Sequence, residues 1–219
     1  MQGFLDNDLT GAERDYLERA RAFGRDVLAP KAEAMEAGAS VIEMMKAAAD
    51  HDLLRMETPT ERGGLGHRYI VKLAVLEALA HIDMAFAFAM TNTQNVATRL
   101  TSDKHSGYVD AIMRGEIFAA TALSEPSAGS DFAGIRTRAV KVDGGWCLTG
   151  EKGWITNATI ADLFITYAQT DPEVGWRGIG GFLIDARNPG FTRRPAYEVF
   201  GGRAIGAGGF VLDKYFVAD

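Results

Sequence analysis

The feature that most limits what this chain can fold into is a change of hydrophobic period near Glu116. Before it, apolar residues recur at helical spacing; after it, short alternating or apolar runs are punctuated by glycine, asparagine and proline. Helical and strand periods each bring apolar side chains to one face only in their own geometry, so neither a single bundle nor a single sheet can accommodate both halves. The pattern predicts an α+β fold, with an N-terminal all-α helical domain over 1–115 and a small antiparallel β-barrel or sandwich over 116–219.

In the first half, Thr10-Gly11-Ala12-Glu13 forms a capping box, since a hydroxyl and a carboxylate at this spacing satisfy the free N–H groups that open a helix. The helix is predicted to run to about Leu28, with Tyr16, Leu17, Ala20, Phe23, Val27 and Leu28 on one face and Pro30 marking its end. Ser40-Val41-Ile42-Glu43 repeats the signature and opens a second helix reaching about His51. Residues 58–67, with Pro59, Gly63, Gly64 and Gly66, read as a loop. Two alanine-rich helices follow, over 69–81 and 83–100, apolar on more than one side and expected at the centre of the helical layer. Ser102 is predicted to cap a shorter helix ending near Arg114.

In the second half, residues 137–141 alternate, and Asp143-Gly144 signals a tight hairpin before the run 146–149. Further strands are predicted at 163–168, 181–185, 191–193, 197–200 and 209–217.

Composition excludes some functions. The 23 basic and 29 acidic residues give a net charge of −6, which argues against nucleic acid as a partner. Cys147 is the single cysteine, so neither a disulfide framework nor a cysteine metal site is expected, and a reducing, cytoplasmic setting fits. Lys72, Glu77, His81 and Asp83 interrupt the longest apolar stretch, so no membrane insertion is expected. The histidines lie outside metal-ligand spacing and predict no metal site. The glycine clusters at 178–181 and 201–209 complete neither G-x-G-x-x-G nor a P-loop, and read as turns.

The chemistry concentrates in two motifs. Leu123-Ser124-Glu125-Pro126-Ser127-Ala128-Gly129-Ser130-Asp131 supplies hydroxyls and backbone N–H groups at a tight turn. Gly150-Glu151-Lys152-Gly153-Trp154-Ile155-Thr156-Asn157 supplies a flat indole beside small polar side chains. Together they can hold a planar, polar-edged cofactor, its ring on Trp154 and its rim near the hydroxyls of Ser124, Ser130 and Thr156. Taken singly, the first motif reads as an ordinary loop and Trp154 as a core residue.

In that order, the two motifs resemble the paired signatures of the acyl-CoA dehydrogenase family's flavin domain. Thr10, Ala29-Pro30, the Pro59 to Gly66 loop and Gly115-Glu116 also stand where the family pattern puts them, so the resemblance covers nearly the whole chain. It implies FAD as cofactor, with Leu123, Ser124, Gly129, Ser130, Trp154, Ile155 and Thr156 as cofactor-binding residues and Ser130 as a contact to an acyl thioester carried by CoA or a carrier protein. It further implies a second helical bundle, supplied by a missing domain or a partner chain, that carries the glutamate removing the α proton. No catalytic residue is therefore assigned within the sequence. An electron acceptor and a homo- or hetero-oligomer complete the expected partners. The chain departs from the pattern at Gly201-Gly202-Arg203-Ala204-Ile205, which lacks the usual small polar residue after Arg. Fold does not dictate the reaction, so a flavin monooxygenase or oxidase of the same fold, or a non-catalytic partner-binding module, stands as the alternative.

Overall fold

In a computed structural model that describes residues 5–219, the first helix, α1 (Gly11–Phe23), begins at the predicted capping box. The Glu13 N–H donates to Thr10 Oγ1 at 3.4 Å, and the Thr10 N–H donates to Glu13 Oε2 at 2.8 Å. Pro30 does not end the helical path. A π-helical turn, Gly24–Leu28, intervenes, and helix α2 (Ala29–Glu36) carries Pro30 in its first turn. Proline lacks an N–H and its ring crowds the carbonyl four residues back; the preceding i→i+5 turn, closed by Ala29 N–H on Gly24 O, changes the register just before it.

Helix α3 (Ile42–Asp50) starts after Ser40, whose Oγ accepts from the Ile42 N–H at 3.3 Å. The glycine loop that follows is required sterically: a Cβ on Gly64 would lie 1.8 Å from the Thr58 carbonyl oxygen. Helix α4 (Tyr69–Arg99) combines the two predicted alanine-rich helices, with Asp83 at φ −148° and ψ 102° marking the kink between them. Asp83 Oδ1 accepts from the Phe86 N–H at 2.8 Å and so caps the second half. Among the described residues, α4 is the one helix long and apolar enough to cross a membrane; in this unit Val71, Ala74, Val75, Leu79, Phe86 and Met90 are buried. A 3-10 turn, Asp103–His105, precedes helix α5 (Ser106–Met113), and Ser102 makes no side-chain cap.

These helices form one unit, extending to Ile117 and including Glu198–Ile205; residues 118–197 and 206–219 form the other. The strand expected at 197–200 is absent. Instead Glu36 Oε2 accepts from the backbone N–H groups of Gly202 and Arg203 at 2.9 and 3.2 Å, tying this stretch to α2.

The β unit contains β1 (Ala119–Ala122), β2 (Arg138–Val142), β3 (Gly145–Ile155), β4 (Leu163–Gln169), β5 (Ile179–Asp185), β6 (Phe191–Arg193) and β7 (Gly208–Ala218). Asp143-Gly144 joins β2 to β3 as the predicted hairpin. The expectation of an antiparallel sheet is corrected to a mixed one: β1 pairs with β4 in parallel, and β2 meets β4 in parallel at Arg138 and Gln169. The remaining pairs, β2–β3, β3–β7, β4–β5 and β6–β7, are antiparallel. Parallel partners require a long crossover, and the chain between β1 and β4 contains the functional turn and the β2–β3 hairpin. The sheet curls around Ala139, Leu148, Phe164, Phe182, Ile184, Phe210, Leu212 and Tyr215. Buried Tyr215 is satisfied at its hydroxyl, accepting from Asp185 N–H at 2.9 Å and donating to Asp185 O at 3.0 Å.

Candidate functional site

The turn after β1 is closed by its own backbone. Glu125 N–H donates to Ala128 O at 2.8 Å and Ala128 N–H returns to Glu125 O at 3.2 Å, with Pro126-Ser127 at the corner. Proline suits this place because it presets φ and no N–H is needed there.

The glutamate side chain turns inward. Glu125 is 5% exposed and Lys152 0%. Glu125 Oε1 accepts from Lys152 Nζ and Thr137 N–H at 2.9 Å each and from Thr137 Oγ1 at 2.6 Å, while Oε2 accepts from Arg136 N–H at 2.6 Å. Burial alone would raise its pKa, but the bonds from Lys152, Thr137 and the backbone N–H groups outweigh burial and hold the carboxyl below the usual carboxylate range. Lys152 Nζ also donates to Leu123 O at 2.9 Å, and Gly153 N–H donates to Ser124 O at 3.1 Å. These bonds join the two motifs: a turn leaving β1 and a strand 20-odd positions later become one surface.

Trp154 is presented by a β-bulge. Lys152 pairs with Phe210 and Ile155 with Gly208, so Gly153 and Trp154 together oppose Gly209. Trp154 takes the left-handed φ of 58° and is 64% exposed. A Cβ on Gly209 would stand 2.3 Å from Lys152 O, so only glycine permits the approach that closes the bulge. Strand parity puts Ile155 the other way, 3% exposed in the sheet core. Thr156 and Ser124 are partly buried. Asn157, buried and at φ 64°, donates through Nδ2 to Ala119 O at 3.3 Å and so anchors the end of β3 to the start of β1. Gly129 and Ser130 follow the turn in an exposed segment, and a Cβ on Gly129 would meet open space.

Two participants escaped the sequence reading. Lys152 had a signal, because period two from Leu148 places it on the inward face. Tyr197 has none: the pattern predicts a strand there, yet its ring centroid lies 4.4 Å from that of Trp154 with the planes tilted by 42°. An exposed indole, Ser124 held to Gly153 through its carbonyl, Thr156 two residues beyond Trp154 along the chain, and open space at Gly129 fit a flat ligand with a polar edge.

Two family models match in tandem, the acyl-CoA dehydrogenase N-terminal domain over residues 10–105 and the middle domain over residues 120–215. The chain belongs to the acyl-CoA dehydrogenase family. Curated family members similar to it include a mitochondrial 2-methylacyl-CoA dehydrogenase of Solanum tuberosum, 31% identical over 96% of this chain and 53% of the relative. An L-prolyl-[peptidyl-carrier protein] dehydrogenase of Serratia sp. is 31% identical over 86% of this chain and 51% of its own length. Among solved structures, a glutaryl-CoA dehydrogenase from Mycobacterium smegmatis in complex with FADH2 superposes with a TM-score of 0.87 at 27% identity, covering 97% of this chain and 55% of the other. The chain spans about half the length of the curated acyl-CoA dehydrogenases it matches.

Proposed function

We propose that this chain supplies the flavin- and thioester-binding surface of an acyl-thioester dehydrogenase. The observation that carries the reading is the welded motif pair, in which Lys152 and Gly153 fix the Leu123 to Ala128 turn beside an exposed Trp154. The cofactor is FAD. The turn residues Leu123, Ser124, Gly129 and Ser130 and the strand residues Trp154, Ile155 and Thr156 hold it, with Ile155 contributing through its backbone. When bound, FAD supplies the acceptor for the hydride that leaves the β carbon of an acyl thioester.

This chain's own part is to bind and orient. The hydroxyls of Ser124 and Thr156 donate to or accept from a polar ring edge, and Trp154 covers a ring face. Ser130, exposed beyond the turn, contacts the thioester. Glu125 does not serve as the base for the α proton, because four donors already occupy its carboxylate and stabilise its charge. A carboxylate from a C-terminal helical domain or a partner chain takes that proton, and a separate acceptor removes the electrons. An oligomer, of like or unlike chains, completes the assembly.

The test is the visible spectrum of the purified chain during FAD titration, followed by addition of an acyl thioester with and without a C-terminal helical partner. Saturable FAD binding, with thioester-dependent bleaching once the partner is present, is expected. A complemented complex that holds FAD and oxidises no thioester overturns the reading.

The likeness to the L-prolyl-[peptidyl-carrier protein] dehydrogenase favours a second reading, in which the acyl group arrives on a carrier protein. Bleaching by a carrier-bound acyl group, and not by the same group on CoA, separates the two.

A further inference from the structure

We propose that Tyr197 is the positioning residue that sets the pose of Trp154, leaving one side of the indole for a flat aromatic ligand. The proposal rests on the FAD reading above and adds a third chain segment to the site. An exposed indole at a bulge has no cross-strand neighbour to hold its ring, and an unrestrained ring must be ordered when a ligand arrives. Here that ordering is built in. Tyr197 lies against the indole at 4.4 Å between centroids, at a tilt of 42°, within the range in which aromatic pairs attract.

Tyr197 is itself held from two directions. Its N–H donates to Ala207 O at 2.9 Å, and Arg194 N–H donates to Gly209 O at 2.8 Å, so the 194–197 segment hangs from the residues that face the bulge. Its hydroxyl fits over Gly153: a Cβ there would stand 3.0 Å from the Tyr197 oxygen and 3.4 Å from Pro126 Cδ. The absent side chain of Gly153 thus makes room for the phenol between the turn's proline and the strand's tryptophan. A ring wedged this way covers one side of the indole, and a ligand must take the other.

The full chain labelled with 5-fluorotryptophan gives a 19F resonance from each of Trp146, Trp154 and Trp176, with Trp154→Phe assigning the informative one. In Tyr197→Leu the Trp154 resonance is expected to move while those of Trp146 and Trp176 stay, and FAD affinity falls by about tenfold, the scale of one lost aromatic contact. Tyr197→Phe keeps the ring and leaves both readouts as in the parent. Gly153→Ala crowds the hydroxyl and moves the Trp154 resonance as Tyr197→Leu does; if Tyr197→Leu disturbs all three resonances, Gly153→Ala decides. An unmoved Trp154 resonance overturns the proposal, as does a moved resonance with unchanged FAD affinity. If the parent chain takes up no FAD, the FAD reading fails separately, and the Trp154 resonance alone decides for or against Tyr197.

Discussion

Each unit of this protein buries a lysine against a glutamate, and the two pairs are built differently. In the helical unit, Lys72 bonds the Glu57 carboxylate, reaches Asn95 Oδ1 at 2.9 Å and lies over the Tyr69 ring at 4.5 Å. It stands on a 31-residue helical path whose backbone largely satisfies itself, so the pair fastens a loop to an element that exists without it. In the β unit, Lys152 bonds Leu123 O and Glu125, and Glu125 gathers the N–H groups of Arg136 and Thr137. There the pair holds a turn that has few backbone bonds of its own. A similar ion pair is thus an attachment in one setting and the joint of a site in another.

Cutting the joint gives the largest expected effect. Lys152→Met leaves a buried, hydrogen-bonded carboxylate without its cation and should cost about 3–5 kcal/mol in urea unfolding. Titratable FAD binding should be lost along with it. The double variant Glu125→Gln with Lys152→Met should recover most of the stability, because the cost comes mainly from the unpaired charge.

Lys72→Met comes next, at about 1.5–3 kcal/mol, the scale of a charged hydrogen bond, since Glu57 is nearer to water. Equal losses at the two lysines would show that the two pairs play the same part.

Trp154→Gly separates site from scaffold. Removing an exposed side chain from a left-handed backbone should leave stability unchanged or raise it by about 1 kcal/mol, while FAD binding weakens. A large loss in thermal stability would show that the indole belongs to the core after all.

Acid gives the smallest effect and contrasts the two units once more. The Arg68 guanidinium, with Thr10, holds Glu13 at about 2, below its ordinary 4.5. A carboxyl depressed on folding adds stability that is full above its unfolded pKa and is lost as pH falls through the folded one. Glu13 thus loosens the helical unit between pH 4.5 and about 2. Glu125 acts in the same direction in the β unit. High salt should shrink the Glu13 contribution more, because Arg68 is largely exposed and Lys152 is not. Unfolding followed against pH at two salt concentrations checks both signs.

Much of the fold was legible where the controlling interaction is local. The Thr10 to Glu13 box and the Asp143-Gly144 hairpin each depend on residues a few positions apart, and each forms as read. Even the break at Asp83 was visible as two helices. The parallel pairing of β1 with β4 was not, because hydrophobic alternation reports which face is buried and carries no strand direction. Pro30 misled because its cost depends on the turn before it, and a π-helical turn there changes the hydrogen-bond register. The strand expected at 197–200 is absent: Tyr197 N–H donates to Ala207 O, and residues 198–205 then belong to the helical unit, where Glu36, distant in sequence, accepts from the N–H groups of Gly202 and Arg203.

The site divides the same way. By itself the sequence determined the two motifs, their order and the residue types that suit a flat, polar-edged cofactor, since these are matters of composition at short range. Only the tertiary structure decided that Lys152 would be the joint, that Ile155 would turn into the core while Trp154 faced out, and that Tyr197 would come to rest against the indole. Local spacing fixes which groups need a partner. Which distant group answers depends on where the curled sheet brings the chain back, and that follows from packing the whole core at once.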